Sequence, residues 1–224
     1  MGQVTERPFK IMKYQDFVIK DGKFIGKFEE MYKKFDDPWL LLKNEKKGNL
    51  NYKIICDYCE RVKFIKERKR ARKKIKTLEI GCGYPQISNK LLTLGFNSFG
   101  TDISETVIKK SKRKYPQLRN KLFVSNFLNF DLYNKINPDI FILSDITWYI
   151  LPKLNKFINY FKKLKNKYLV HSLAVYEKDL QKYGKKYFYN LESIKKYFKL
   201  NYLSSGYIHN VDGDRHTFFL GKSK

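Results

Sequence analysis

The stretch that decides the fold is Leu78-Glu79-Ile80-Gly81-Cys82-Gly83-Tyr84-Pro85-Gln86, and Gly100-Thr101-Asp102-Ile103-Ser104 follows it. The first segment predicts a buried strand that ends in a glycine turn and leads into a helix. The second predicts another strand that ends in an acid. Glycines let the backbone approach a ligand, and an acid on the next strand can accept hydrogen bonds from ribose hydroxyls. Together the two segments indicate a nucleotide-cofactor site.

The glycine turn departs from the Gly-x-Gly-x-x-Gly motif that binds a dinucleotide pyrophosphate. Gln86 stands where the third glycine would be, and Glu79 lies two residues before Gly81. A carboxylate at that place would repel a pyrophosphate, but it suits a cationic group such as a sulfonium or an ammonium. A tight turn in some other α/β protein is the alternative interpretation.

The pattern Glu79-x-Gly81-x-Gly83 resembles motif I of the class I S-adenosylmethionine-dependent methyltransferases, and the resemblance covers about residues 75–219. Pro85 stands where motif I usually has one more glycine. The resemblance implies S-adenosyl-L-methionine as the cofactor and S-adenosyl-L-homocysteine as the product. It also implies a Rossmann-like α/β fold, with a seven-stranded, mostly parallel sheet, helices on both faces and an antiparallel last strand.

Strand and helix patterns alternate from Thr77 onward, which predicts a parallel sheet with helices on both faces. Strands are predicted at 77–80, 98–102, 121–125, 139–143, 167–172, 201–208 and 215–221, and helices at 85–94, 104–114, 152–163 and 190–198. Residues 1–74 are predicted to form an N-terminal cap or arm, with a hairpin around Asp21-Gly22 and helices over 28–35 and 51–65. Residues 75–224 are predicted to form the cofactor-binding domain.

The chain has 224 residues and a formal net charge of +25. Such a charge indicates an anionic partner, namely nucleic acid, a phosphorylated metabolite or a membrane surface. An AT-rich genome that places lysine on surfaces would give the same composition. Three cysteines and no signal peptide predict a cytoplasmic protein, and no apolar run approaches the roughly 18 residues of a membrane span. Cys56 and Cys59 lack the second ligand pair of a zinc ribbon, so we expect them to pack in a core and no metal to bind.

Cofactor residues are expected at the carboxyl ends of the parallel strands, where ligands bind in open α/β sheets. Asp102 is the predicted partner of the ribose hydroxyls. The resemblance implies that Asn126 takes the place of an acid that contacts the adenine amino group. Ile103 and Phe127 could flank the adenine, with a plain core role as an equal alternative. The predicted cofactor residues are Glu79, Gly81, Cys82, Gly83, Asp102, Ile103, Asn126, Phe127 and Ser144.

Methyl transfer is an in-line displacement that can require a base for the acceptor proton. His171, at the predicted end of a strand, is the first candidate for this base, and a structural histidine is the alternative. Asp145 is the second candidate, whereas His209 and His216 are expected to be structural. The predicted substrate-binding residues are Trp39, Trp148, Tyr149, Tyr176 and Tyr183, and Lys178, Gln181 and Tyr187 lie in the same loop as the last two. Core packing is the alternative for the tryptophan and tyrosine after Asp145, and a solvated helix for the loop.

The acceptor is predicted to be small. Ser144-Asp145-Ile146-Thr147 lacks the Asn/Asp-Pro-Pro-aromatic run of amino-methylating nucleic-acid enzymes, and no cysteine follows Cys82 to act as the nucleophile of a cytosine C5 enzyme. The segments 28–32 and 36–39 resemble the N-terminal cap of bacterial methyltransferases related to nodulation N-methyltransferases and to enzymes of surface-polysaccharide (capsule) loci.

This resemblance implies an acceptor such as a nucleotide sugar, a sugar or a phosphorus ester, for example a capsular O-methyl phosphoramidate precursor. A basic pocket would fit an anionic acceptor of this kind. An RNA or protein methyltransferase that uses the basic surface and a non-catalytic cofactor-binding subunit remain as alternatives.

Overall fold

The computed structural model describes residues 13–45, 49–68, 73–176, 183–184, 186–209 and 215–224. Its strands are β1 (Ile19–Lys20), β2 (Lys23–Phe24), β3 (Lys76–Ile80), β4 (Asn97–Asp102), β5 (Leu122–Val124), β6 (Ile140–Ser144), β7 (Tyr168–Val175), β8 (Asn201–His209) and β9 (Arg215–Lys222). Its helices are α1 (Phe28–Lys34), α2 (Leu41–Glu45), α3 (Leu50–Glu67), α4 (Gln86–Thr93), α5 (Glu105–Lys114), α6 (Phe130–Ile136), α7 (Thr147–Ile150), α8 (Leu154–Lys163) and α9 (Leu191–Phe198). Across these ranges, no helix combines the length and the apolar character that a bilayer crossing requires.

Seven strands form the main sheet in the order β5-β4-β3-β6-β7-β9-β8. The first five in this order are parallel to one another, whereas β9 is antiparallel to both β7 and β8. The predicted Rossmann-like, mostly parallel sheet is therefore confirmed. The chain places β4 and β6 on opposite sides of β3, and in open α/β sheets a ligand binds outside the carboxyl ends of the strands at this switch point.

Strand β6 is a continuous apolar run because helices cover the sheet on both faces. Its residues 140–143 have no exposed surface. Successive side chains point to opposite faces, so Phe141 and Leu143 join the core cluster that includes α8, and Ile140 and Ile142 join the cluster that includes α3. The two apolar layers fix the sheet between helices and hold its carboxyl edge in place.

The N-terminal segment forms the predicted hairpin, in which β1 and β2 pair across Asp21-Gly22. Helix α3 packs against β7 and α4 as part of the helical layer of the sheet. The division of the chain at residue 74 therefore stays a prediction, because α3 precedes that boundary and yet packs on the sheet.

Helix α1 is attached to the sheet through Glu29. Its Oε2 accepts hydrogen bonds from Ser104 Oγ at 2.7 Å and from the Thr106 amide at 3.1 Å, and its Oε1 accepts one from Thr106 Oγ1 at 2.6 Å. Burial opposes ionisation, but these hydrogen bonds and the charge of Lys33 outweigh it and lower the pKa of Glu29 to about 2. The carboxylate thus stays ionised at neutral pH and fixes α1 to the first turn of α5.

Candidate functional site

The turn after β3 has a backbone that favours glycine. Gly81 and Gly83 have φ angles of +68° and +48°, in the left-handed region. A Cβ added to Gly81 would lie 2.7 Å from Cγ2 of Ile146, and one added to Gly83 would lie 2.8 Å from the Tyr32 hydroxyl oxygen. Between them, the Cys82 amide donates to the carbonyl oxygen of Thr101 at 2.9 Å. The positive φ angles and the lack of space for a Cβ both favour glycine at these two positions. A turn whose backbone approaches a ligand closely has the same requirement.

Asp102 lies at the end of β4 and holds this turn in place. Its Oδ2 accepts from the Gly83 amide and its Oδ1 from the Ser104 amide, both at 2.9 Å. Burial raises the pKa of Asp102, although the amide hydrogen bonds act in the opposite direction. Each carboxylate oxygen can accept a further hydrogen bond, so ligand hydroxyls can bind without breaking these contacts.

Glu79 lies behind the turn, in the central strand of the site. Its Oε2 accepts from the Ser88 amide at 3.0 Å and from Ser88 Oγ at 2.6 Å. Burial raises the pKa of Glu79 to about 7, even though the Ser88 hydrogen bonds oppose this shift. The carboxylate therefore joins β3 to α4, and its predicted contact with a cationic group of the cofactor stays a prediction.

A cavity of about 430 Å³ opens at the carboxyl ends of β3, β4, β5 and β6. The cavity is lined by residues of the glycine turn, of the ends of β4 and β5, of α7 and of the N-terminal segment. Its lining consists of Phe24, Gly26, Phe28, Tyr32, Trp39, Ile80, Gly81, Asp102, Ile103, Ser125, Asn126, Phe127, Ile146, Tyr149, Ile150, Pro152 and Lys153. Seven residues predicted from the sequence thus meet at one cavity, namely Trp39, Gly81, Asp102, Ile103, Asn126, Phe127 and Tyr149.

The N-terminal segment supplies an aromatic cover that the sequence interpretation missed, apart from Trp39. We define this aromatic cover as Phe24, Phe28, Tyr32 and Trp39. The rings of Phe28 and Trp39 lie 5.4 and 5.8 Å from that of Tyr149 on the sheet side of the cavity. The sequence predicts a helix over 28–35, and the spacing of Phe28 and Tyr32 on one face of α1 is the signal that could have indicated this cover.

Gln86, which replaces the third glycine of the dinucleotide motif, connects the glycine turn to the N-terminal segment. Its Nε2 donates to the carbonyl oxygen of Leu41 at 2.7 Å. The hydroxyl of Tyr84 donates to the carbonyl oxygen of Asp36 at 2.8 Å. Tyr84 and Gln86 therefore hydrogen-bond to the backbone on either side of Trp39. These contacts hold the segment that carries Trp39 against the glycine turn.

Several predicted site residues lie outside the cavity lining. Cys82 is buried beneath the turn, and Ser144 Oγ is 3.2 Å from Ser172 Oγ. Trp148 is in the core, where its Nε1 donates to the Ala174 carbonyl oxygen at 2.8 Å, so its predicted contact with substrate is corrected to packing.

In the loop after β7, Tyr176 is 41% exposed, and the ring of Tyr183 stacks 6.2 Å from that of Phe24. Lys178 and Gln181 of the predicted acceptor loop lie outside the described residues.

The structure contradicts the prediction that His171 is the base. Strand β7 continues to Val175 rather than ending near 172, so His171 lies within the strand and has no exposed surface. Its ring stacks 4.6 Å from that of Phe219, and its Nε2 is 2.8 Å from Thr147 Oγ1. Burial lowers the pKa of His171 to about 3. A neutral side chain enclosed in the core cannot take a proton from an acceptor, so His171 is corrected to a structural residue.

Asp145, the other predicted base, lies just beyond β6 at the carboxyl edge of the sheet. It is not among the residues that line the cavity, but its neighbour Ile146 is. Its carboxylate oxygens Oδ1 and Oδ2 are 2.9 and 3.1 Å from Nε2 of His216. The sequence predicts a structural role for His216 as part of the terminal hairpin, and 71 residues separate it from Asp145 along the chain. No sequence signal would have joined them, since the contact depends on how β9 aligns with β7.

The three cysteines are buried and unpaired. Cys56 and Cys59 belong to the core cluster under α3, and burial raises the pKa of Cys56 to about 12. Within the described ranges, no group of three or more histidine, cysteine or acidic side chains could hold a metal ion.

No family model matches the sequence, and no curated protein is significantly similar to it. Solved structures are similar in fold. An S-adenosylmethionine-dependent methyltransferase from Clostridium acetobutylicum has a TM-score of 0.56 at 17% identity, over 86% of this chain and 98% of that chain. For magnesium protoporphyrin IX methyltransferase from Synechocystis with bound SAH, the TM-score is 0.55 at 15% identity, over 75% and 82%. For the N-methyltransferase NodS from Bradyrhizobium japonicum, it is 0.51 at 13% identity, over 73% and 94%. The chain therefore has the fold of the class I S-adenosylmethionine-dependent methyltransferases, as the motif resemblance predicted.

Proposed function

We propose that this protein is an S-adenosylmethionine-dependent methyltransferase that acts on a small, anionic metabolite. The observation that carries the proposal is one cavity lined by Gly81, Asp102 and Asn126, which come from the ends of three neighbouring strands. The structures of magnesium protoporphyrin IX methyltransferase, which has this fold, contain SAH and SAM. Similarity of fold, a cavity at the switch point and an acid on the second strand all support the same cofactor.

The cavity fits this cofactor in size and in chemistry. Its volume of about 430 Å³ lies within the usual range of ligand pockets, which is roughly 300–1,000 Å³. Asp102 would accept hydrogen bonds from the ribose hydroxyls, and Asn126 would bind the adenine edge while Ile103 and Phe127 cover its faces. Gly81 would let the backbone approach the amino-acid end. When bound, the cofactor supplies a methyl group on an electrophilic sulfonium, and the protein orients the acceptor and excludes water.

The aromatic cover supports a small acceptor. Phe24, Phe28, Tyr32 and Trp39 all line the cavity, so four aromatic side chains from the N-terminal segment narrow the space that an acceptor could enter. Lys153 supports an anionic acceptor, because in the described part of the chain it is the one basic residue of the lining. A nucleotide sugar or a phosphorus ester such as a capsular phosphoramidate precursor meets both conditions, whereas a plain sugar meets only the first. The neighbour NodS, an N-methyltransferase, leaves nitrogen and oxygen acceptors equally open.

Two measurements test the proposal. Titration calorimetry with S-adenosylhomocysteine should give binding to the wild-type protein. A screen that detects S-adenosylhomocysteine release should then find turnover among nucleotide sugars, sugars and phosphorylated metabolites. Absence of calorimetric binding would refute the cofactor assignment, and binding without turnover on any acceptor would favour a non-catalytic subunit.

The net charge of +25 favours RNA as the second candidate acceptor. A protein that binds phosphates releases counterions, so its affinity for RNA should fall steeply as salt is raised. A salt series with a single-stranded RNA separates the candidates. Failure to bind RNA at low salt removes this alternative, whereas S-adenosylhomocysteine release with RNA as the acceptor would replace the small-molecule proposal.

A further inference from the structure

We propose that Asp145 accepts the proton of the methyl acceptor and that His216 and Asn51 are its positioning residues. The inference rests on the proposed methyl transfer and assigns the proton-handling group of the same site. The three residues come from the end of β6, the start of β9 and the start of α3, so only the folded chain brings them together.

The carboxylate of Asp145 is held at a fixed orientation. Its amide donates to the carbonyl oxygen of Ser172 at 3.0 Å, and its Oδ1 accepts from the amide of Ala174 at 3.1 Å. His216 lies opposite Ala174 in the pairing of β7 with β9, which places Nε2 of its ring beside both carboxylate oxygens. Two strands of the sheet therefore hold one side of this carboxylate.

The partner of Nδ1 determines which nitrogen of His216 carries the proton. Nδ1 of His216 is 3.0 Å from Nδ2 of Asn51. An amide nitrogen can only donate, so Nδ1 accepts and the ring proton lies on Nε2. Nε2 then donates to the carboxylate of Asp145. Asn51 thus selects the Nε2–H tautomer of His216, and the Nε2–H group orients the carboxylate of Asp145. Catalytic bases are commonly oriented by a hydrogen-bonded group in this way.

Exposure differs along this chain of hydrogen bonds. The side chain of His216 is 10% exposed, whereas that of Asp145 is 40% exposed. Of these two side chains, the carboxylate therefore offers the larger surface to an acceptor that enters beside Ile146. Asp145 has a φ angle of +56°, and strained conformations of non-glycine residues concentrate at functional sites.

The same conformation directs the next residue, Ile146, into the cavity lining. Burial raises the pKa of the cavity residue Tyr149, and the nearby Tyr176 and Asp145 add to this shift.

The proton balance is simple. An acceptor oxygen or nitrogen forms its bond to the methyl carbon as the bond from carbon to the sulfonium breaks, and that electron pair stays on sulfur. The O–H or N–H proton of the acceptor passes to an oxygen of Asp145, which becomes a neutral carboxylic acid. The positive charge of the sulfonium and the negative charge of Asp145 disappear together, and the proton leaves to solvent when product departs.

The hydrogen-bond chain can be tested in the ligand-free protein. Nitrogen-15 NMR of the histidine rings should show the Nε2–H tautomer of His216, with a ring proton that exchanges slowly. In the Asn51→Leu variant we expect a mixture of the two tautomers, and in Asp145→Ala rapid exchange of the ring proton. His209, which lies exposed at the end of β8, is the internal reference for an unrestrained ring. An Nδ1–H tautomer of His216 in the wild-type protein would overturn the assignment.

The kinetic test uses isosteric variants. Asparagine also tolerates the left-handed backbone, so Asp145→Asn should fold, and thermal melting checks this. We expect its kcat to fall by about 100-fold or more, with unchanged affinity for S-adenosylhomocysteine and unchanged KM. His216→Ala should lower kcat by roughly 10- to 100-fold, because the carboxylate is no longer held. His216→Gln, which retains an N–H donor, should recover most of this loss, and His209→Gln is the matched control with wild-type kcat.

The outcomes separate the inference from the proposed function. Wild-type kcat in Asp145→Asn would overturn the inference while leaving the methyltransferase intact. Equal losses in His216→Gln and His216→Ala would overturn the positioning role of His216. Failure of the wild-type protein to bind S-adenosylhomocysteine would instead refute the proposed function, and the NMR result would stand independently of it.

Discussion

Substitution of Gly81 by alanine tests whether glycine is required in this turn because a Cβ would collide with Ile146, as well as because of the positive φ angle. At the φ angle of +68°, an L-residue costs roughly 1–2 kcal/mol. The new Cβ would also lie 2.7 Å from Cγ2 of Ile146, and such overpacking costs about 1–3 kcal/mol. We therefore expect Gly81→Ala to lower the free energy of unfolding by about 2–5 kcal/mol.

The steric part can be measured on its own by a double-mutant cycle. Ile146→Ala removes the methyl groups that the new Cβ would meet, so the double variant should recover roughly 1–3 kcal/mol relative to the sum of the single variants. Gly95→Ala is the matched control. Gly95 has a φ angle of +87°, but a Cβ there would meet only Lys63 Nζ at 3.5 Å, an ordinary contact, so this variant should lose about 1–2 kcal/mol.

Urea denaturation followed by circular dichroism gives each free energy of unfolding. If the losses of Gly81→Ala and Ile146→Ala simply add, the contact between the two positions carries no energy. A loss in Gly81→Ala no larger than that in Gly95→Ala would lead to the same conclusion, and the argument from space would fail.

Three further predictions concern the cavity. Asp102→Asn should weaken binding of S-adenosylhomocysteine by about 5- to 150-fold in calorimetry, since hydrogen bonds to a charged group are lost, and Asp131→Asn on α6 should leave it unchanged. Glu79 has a folded pKa of about 7 against an ordinary value of 4.5, so the folded state binds more protons between these pH values. The free energy of unfolding should therefore fall by up to about 3 kcal/mol as the pH rises from about 4.5 to 7, and Glu79→Gln should flatten this dependence in urea titrations. Lys153→Met should raise the KM for phosphorylated acceptors by up to about fivefold without changing S-adenosylhomocysteine affinity, and an unchanged KM would remove Lys153 from acceptor binding.

Much of the fold could be predicted because its signals are local. The buried run of β6 and the glycine turn after β3 are contiguous in sequence. Ser104 is the first residue of the predicted helix 104–114, and in the structure its Oγ accepts from the Val107 amide at 3.2 Å as an N-cap. Helices α6 and α7 were missed, because segments of seven and four residues are too short to show helical periodicity.

The part of the site that could not be predicted depends on contacts distant in sequence. The identity of Asp102 and Asn126 as strand ends follows from local patterns, and both line the cavity. The partner of Asp145 follows only from the register of β9 against β7, which side-chain packing across the sheet decides. The assignment of His171 failed for a related reason, since the apolar residues after 172 extend β7 without any local sign of its end.

The strand order β7-β9-β8 has a consequence for the order in which the chain can fold. Among the described strands of the main sheet, β8 pairs only with β9, so β8 can join the sheet only together with β9 or after it. Strand β9 follows the other strands of this sheet along the chain and carries His216, so the contact between His216 and Asp145 forms only when β9 has been made and has paired with β7. The residues that line the cavity all precede β7 in the chain, so they can be synthesised before β9. If Asp145 and His216 act as we propose, the cofactor site would be complete during translation before the group that accepts the proton is held in place.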